Sequence, residues 1–208
     1  MKYQTLMNSM NKSYRSGSIE ESDLSLMRGI VFDSSYLDFI ASSNGGFFYK
    51  NSIQIYAISQ TPAYNNFFNI NEMIRKEYGN ILSDEIFFGQ EIFGNQFAFT
   101  SSGVVFFNIE TGERTEMGKT FLEWTSILTS DINYYSGINI LKSWTAANLD
   151  LSIDNRLCPK KPFVIGGEYE IKNLYPAPYP QYIKANANIA NQIYGLPDGT
   201  PIKLKITD

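Results

Sequence analysis

Alternation of apolar and polar residues is clearest in the middle of the chain, from Glu85 to Leu128. There Phe97 and Phe99 share one face of an alternating run, and Val105, Phe107 and Ile109 share a face of the next. Side chains two apart in a strand point the same way, so both runs predict strands. Thr100 to Gly103 supplies a turn between them, and Glu110 to Glu113, with Gly112, a second. Glycine accepts the positive backbone angles that tight turns require. The stretch therefore predicts an antiparallel meander that feeds a helix. Thr120 and Glu123 have capping-box spacing at its start, and Phe121, Trp124 and Leu128 form its apolar stripe.

Upstream, residues 1–17 are polar and predict a flexible N-terminus. Ser18 and Glu21 have capping-box spacing for a short helix to about Arg28. Ser34 to Ser43 predicts a second helix with Tyr36, Leu37, Phe39 and Ile40 on one face, stopped by Asn44-Gly45-Gly46. Phe47 to Tyr49 and Ile53 to Ile58 read as a strand pair hinged at Lys50-Asn51. After a loop over 61–69, Asn69 or Asn71 caps a helix through Tyr78, ended by Gly79-Asn80.

Downstream, residues 131–137 break the pattern, and Ile138 to Ala147 predicts a helix carrying Leu141 and Trp144. Composition shifts near Asp150. Asn155 to Pro162 reads as a connector, and Phe163 to Leu174 as a strand with Tyr169 and Ile171 on one face. Tyr175 to Pro180 is barred from a central ladder, because proline has no amide donor. Gln181 to Tyr194 predicts a helix, and Ile202 to Ile206 a terminal strand after the Pro197-Asp198-Gly199 turn. The organisation expected is a flexible segment over 1–17, a main domain over 18–147 and an extension over 148–208 packed on it.

The 208 residues suffice for one sizeable core, and 43% hydrophobic and 15% aromatic content excludes a disordered chain. No apolar run approaches the ~20 residues that cross a bilayer, and the N-terminus lacks the apolar core of a secretory signal. One cysteine, Cys158, cannot form an internal disulfide, which points to a reducing cytoplasm. The net charge of −4 disfavours direct binding to nucleic acid. Seven acids face two bases within 84–123, and such a region steers a basic partner.

Histidine is absent, which removes Ser-His-Asp and Cys-His nucleophiles and imidazole zinc sites. Glu110, Glu113 and Glu116 cluster at one turn, but carboxylate-only catalysis needs two carboxyls facing across a cleft, which spacing alone does not establish. Gly112 to Thr120 ends like a phosphate-binding loop, yet five residues separate its glycines where that loop has four. Gly89 and Gly94 have the correct spacing, but Asn95 and Gln96 replace the lysine and hydroxyl. No cofactor or metal is therefore expected. The aromatic run from Phe87 to Phe107 belongs to the sheet core, since base stacking comes with a basic groove. Tyr175, Tyr179 and Tyr182, set among prolines, form either an exposed interaction ridge or a packing surface.

The order of these motifs resembles the SUKH superfamily, the group related to the yeast cell-wall assembly regulator. The resemblance rests on Asn44-Gly45-Gly46 after a helix, Ile92 to Phe97 around Gly94, the Glu110 to Glu113 hairpin and the helix holding Phe121 and Trp124. It covers roughly residues 18–145. The resemblance implies an α+β fold with a central, largely antiparallel sheet flanked by helices, here with a C-terminal α/β extension. It also implies a non-catalytic bacterial immunity protein that binds and neutralises a cognate toxin, nucleases and deaminases being among the toxins. The superfamily has no shared catalytic residue, and Asn44, Gly45, Gly46, Gly94 and Trp124 read as fold-forming. Glu85, Glu91, Glu110, Glu113 and Glu116, with Tyr175 and Tyr179, are the expected toxin-binding surface. The other readings are an intracellular scaffold that engages housekeeping proteins and an enzyme built on carboxylates alone.

Overall fold

A six-stranded antiparallel meander organises the computed structural model, which describes residues 3–14, 16–58, 61–147, 149–197 and 199–205. Strands β1 (Gly46–Phe48), β2 (Ile53–Ile55), β3 (Ile86–Glu91), β4 (Gln96–Thr100), β5 (Gly103–Phe107) and β6 (Arg114–Glu116) lie side by side in chain order. The helices are α1 (Gln4–Asn8), α2 (Glu21–Arg28), α3 (Ser34–Ser43), α4 (Phe67–Tyr78), α5 (Phe121–Ser130), α6 (Ile132–Ser136), α7 (Ile138–Ala146) and α8 (Gln181–Ile193). A separate two-stranded sheet pairs β7 (Asn155–Pro159) with β8 (Leu174–Pro178). The fold is α+β.

Both faces of the meander are covered, so its central strands are buried at most positions. Phe97 and Phe99 face α3 and α5, where ring centroids of Phe97 and Trp124 lie 5.1 Å apart and those of Tyr36 and Phe99 the same distance. A bulge between Phe87 and Gly89 adds Phe88 to this face, against Trp124. Phe87 instead meets Phe107 on the opposite face, under α4 and α8. There the Tyr78 hydroxyl donates to Ile109 O at 2.6 Å.

Local chemistry sets the element boundaries. Asp33 caps α3 and Thr120 caps α5, each accepting the amide three residues on. Glu123 reaches back to the amide of Lys119, one residue before the helix cap. Asn66, upstream of the expected Asn69 or Asn71, caps α4. Ser18 caps nothing: α2 starts behind Glu20 without a side-chain cap. Asn44 adopts a left-handed φ of 48°, and its amide group joins Gly17 O to the Ile58 amide. At Gly45 a Cβ would lie 2.5 Å from Ile55 O, and at Gly94 3.0 Å from the Tyr182 ring. These close approaches, with positive φ, explain why glycine stands there.

The structure differs from the sequence expectations at both ends of the chain. The N-terminal segment holds α1, which buries Leu6, and Tyr3 meets Phe39 edge-on at 5.3 Å. Met10 bridges to Phe48, so this segment covers the outer edge of β1. Asn155 to Pro159 is a strand and not a connector, tied to the β3–β4 turn by Leu157 N donating to Ile92 O at 2.9 Å. Phe163 to Leu174 is not one strand. It folds back through two short 3-10 turns, with Phe163 and Tyr169 stacked at 3.8 Å, and only Leu174 enters a strand. The proline-rich run stays off the central sheet and pairs only with β7. Residues 202–205 join no strand, and Lys205 is clipped by two hydrogen bonds to Gln192 of α8. Asp198 and Ile206 lie outside the described residues.

Candidate functional site

Three of the five glutamates expected to form an acidic face are internal. Glu85 is 2% exposed, accepts the Ser83 amide at 2.7 Å and pairs with Arg114 at 2.6 Å. Glu91, at the end of β3, is equally buried and accepts the amides of Phe93 at 3.0 Å and Asn95 at 2.9 Å. Burial pushes its carboxyl up to about 7, against the opposing pull of those amides and of Arg156. Glu110 accepts the amides of Phe163 at 3.1 Å and Val164 at 2.8 Å, and burial raises it as well. These carboxylates hold turns together and cannot meet a partner in this fold. Charge alone grouped them as a surface, and the local sequence carried no sign that backbone amides would enclose Glu91 and Glu110.

Glu113 and Glu116 are exposed, and Glu116 stands 4.0 Å from Lys119. Tyr175 is exposed, Tyr179 is half-buried with its hydroxyl 3.5 Å from Asn69 O, and Tyr182 is buried, so the tyrosines do not form one ridge. Asn44 and Trp124 are buried, and the Gly45, Gly46 and Gly94 backbones carry positive φ. Glu110 also joins the β5–β6 turn to the C-terminal segment. Glu110→Ala is expected to speed hydrogen exchange at the Phe163 and Val164 amides by about tenfold or more while sparing Tyr56. Unchanged exchange at both amides would contradict this role.

An acidic concavity lies elsewhere, at the junction of the α2–α3 loop, α3, the β4–β5 turn and the start of α5. It encloses about 990 Å³, and its charged lining is Asp33, Asp38, Asp84 and Lys119. Phe32 stands at it with 90% of its surface exposed. The loop bearing this ring is held on both sides. Val31 is buried, and Asp33 accepts the Tyr36 amide at 2.9 Å and the Phe121 amide at 2.7 Å, so one carboxylate serves the starts of α3 and α5. Asp84 accepts the Ser101 amide at 2.7 Å, and hydrogen bonding from Ser101 holds its carboxyl below the usual carboxylate range.

The chemistry of this cleft suits binding of cationic groups. Asp33 and Asp84 are fixed by backbone amides, Asp38 is exposed on α3, and the adjacent exposed ring supplies apolar area at low conformational cost. Among the described residues no group of three or more histidine, cysteine, aspartate or glutamate side chains could hold a metal ion. Burial pushes the Cys158 thiol up to about 12, far from the reactive range. Phe32, Asp33, Asp38 and Asp84 were not singled out from the sequence. The available signal was the apolar run Ile30-Val31-Phe32, placed directly before a helix cap.

A helix-flanked antiparallel meander with Asn-Gly-Gly at the entry to its first strand is the architecture of a SUKH-type domain. The chain belongs to the SMI1 / KNR4 family (SUKH-1), which it matches over residues 21–126. That segment contains the whole charged lining of the cleft. Among solved structures the chain is similar to Atu4351 from Agrobacterium tumefaciens. The likeness has a TM-score of 0.51 at 16% identity and covers 85% of this chain and 86% of that one. At this identity it is a likeness of fold, and its coverage extends it beyond the family segment. A comparison with curated proteins found no match. Among the described residues no helix is long and apolar enough to cross a membrane.

Proposed function

We propose that this protein is an immunity protein, which neutralises a cognate toxin by stoichiometric binding and without catalysis. Family membership supports a protein-binding role, and the observation that carries the reading is Phe32, an almost fully exposed ring on a pinned loop beside Asp33, Asp38 and Asp84. A large exposed aromatic on a rigid loop marks an interaction site better than scattered surface residues do. Proteins that act on nucleic acid line their substrate path with Lys and Arg. An acidic cleft with an aromatic anchor complements such a path, so a nuclease or nucleic-acid deaminase is the toxin class proposed.

Co-expression tests the reading. A gene product encoded beside this one should arrest growth alone and be silenced when this chain is co-produced, with the two recovered as an equimolar complex. Neighbours that are neither toxic nor bound would reject it and favour a scaffold role. Within such a complex, Asp38→Lys with Asp84→Lys should slow association about tenfold or more at low salt while leaving the dissociation rate little changed. Rapid-mixing kinetics with wild-type and variant chains checks this, and an unaltered association rate would move the interface elsewhere.

A further inference from the structure

A second cavity, of about 470 Å³, opens between the β1–β2 turn, the β3–β4 turn, α7 and the segment that follows it. It shares no lining residue with the acidic cleft. Its walls are apolar, from Ile92, Ile138 and Leu141 with Leu151 and Ile153, and its charged lining is Lys50, Lys142 and Arg156 against Asp150. The volume falls in the range of small-molecule sites, which combine apolar walls with a few fixed polar groups.

Arg156 gives this cavity a buried positive charge. It is 3% exposed, yet among the described residues no carboxylate lies within ion-pairing distance of its guanidinium. Neutral acceptors hold it in place: Nη1 donates to Asn155 O at 2.6 Å and Ile153 O at 3.4 Å, Nη2 to the Gln54 side chain, and Nη2 and Nε to the Gln90 side-chain oxygen at 2.9 Å and 3.2 Å. Glu91, the buried acid that senses Arg156, is turned to the amides of Phe93 and Asn95. Buried charges are ordinarily paired, because an uncompensated one is expensive to desolvate. Here no carboxylate among the described residues pairs directly with the guanidinium, Glu91 acting on it only at longer range, and a cavity adjoins the cation.

The rim is also shaped at a backbone cost. Tyr49, Lys50 and Asn51 take φ values of 49°, 60° and 72°, three successive left-handed non-glycine residues. Asn11 donates to the Asn51 side chain at 2.9 Å and fixes this turn, which carries Lys50 to the cavity mouth. Strain of this kind persists where the surrounding structure imposes it, and it collects at ligand sites.

We infer that this cavity binds a small amphiphilic anion, its apolar body between α7 and Ile92 and its carboxylate or phosphate head toward Arg156, Lys50 and Lys142. The inference is independent of the acidic cleft. The test uses the full chain, with 8-anilinonaphthalene-1-sulfonate as a fluorescent amphiphilic anion and octanoate, octyl phosphate and 1-octanol as competitors. One probe site per chain is expected, displaced by at least one of the two anions and about tenfold or more less effectively by the alcohol. The stronger of the anions identifies the head group. Thr145→Trp, which fills the cavity from the exposed side of α7, and Lys50→Glu with Lys142→Glu should each weaken probe binding about tenfold or more. These positions are exposed, so folding is retained, and Phe32→Ala should leave the affinity unchanged. Equal competition by octanol, or full binding by Thr145→Trp, would overturn the inference.

Discussion

Trp124→Ala is expected to cost roughly 3–5 kcal/mol of folding stability, while Trp124→Phe should cost no more than about 1.5 kcal/mol. The indole is fully buried, with ring centroids of Phe88, Phe97 and Phe121 within 5.1 Å. Truncation to alanine opens a cavity where α5 meets the sheet, and a rigid aromatic cluster cannot collapse to fill it. Phenylalanine behaves differently because the indole N–H has no hydrogen-bond partner among the described residues. Losing it removes a buried unsatisfied donor, which offsets part of the lost ring area. Urea denaturation of the three chains separates the outcomes. Equal losses for alanine and phenylalanine would mean that the indole nitrogen is engaged and that this packing account is wrong.

Wild-type stability should fall by about 3 kcal/mol as pH rises from the ordinary Glu91 value of 4.5 to about 7, and then level off. Burial raises this carboxyl in the folded state. Between the two values the folded chain therefore holds a proton that the unfolded chain has released, and stability declines as pH climbs. Glu91→Gln removes the titrating group and should flatten the profile. A residual slope of the same sign remains from Glu110, which burial also raises. Asp84 is shifted the other way and acts below its ordinary 3.8, outside this window. Denaturation midpoints between about pH 5 and pH 8 test the point. A wild-type chain that gains stability through that interval would contradict it.

The parts of the fold visible in the sequence are those where one physical signal dominates. Alternation across Phe97–Phe99 and Val105–Phe107 marked the meander, and the Thr120–Glu123 spacing and the Asn44-Gly45 stop marked helix ends, because each depends on neighbours in sequence. Where tertiary contacts decide, local pattern misleads. Leu6 and Met10 look like isolated apolar residues in a polar tail, yet Leu6 is buried in the core and Met10 bridges to the edge strand β1. Tyr169 and Ile171 alternate like a strand, but Tyr169 stacks on Phe163 and bends the chain back. The site was the least legible part. Charge counting gathered Glu85, Glu91 and Glu110 into a surface, although backbone amides and Arg114 enclose them. Asp33 and Asp38 lie close to Phe32 in sequence, but Asp84, which completes the acidic cleft, comes from a distant segment.

Inhibition stoichiometry is the direct test of neutralisation by binding through the acidic cleft. Toxin activity would be titrated with wild-type chain and with Phe32→Ala, at toxin concentrations well above the dissociation constant of the wild-type complex. Inhibition is expected to be complete at one chain per toxin. Phe32→Ala should raise the inhibition constant about thirtyfold or more, as for an aromatic anchor that the complex buries. Protection by far fewer chains than toxin molecules would instead indicate turnover, and an unaltered constant for Phe32→Ala would show that the interface lies elsewhere.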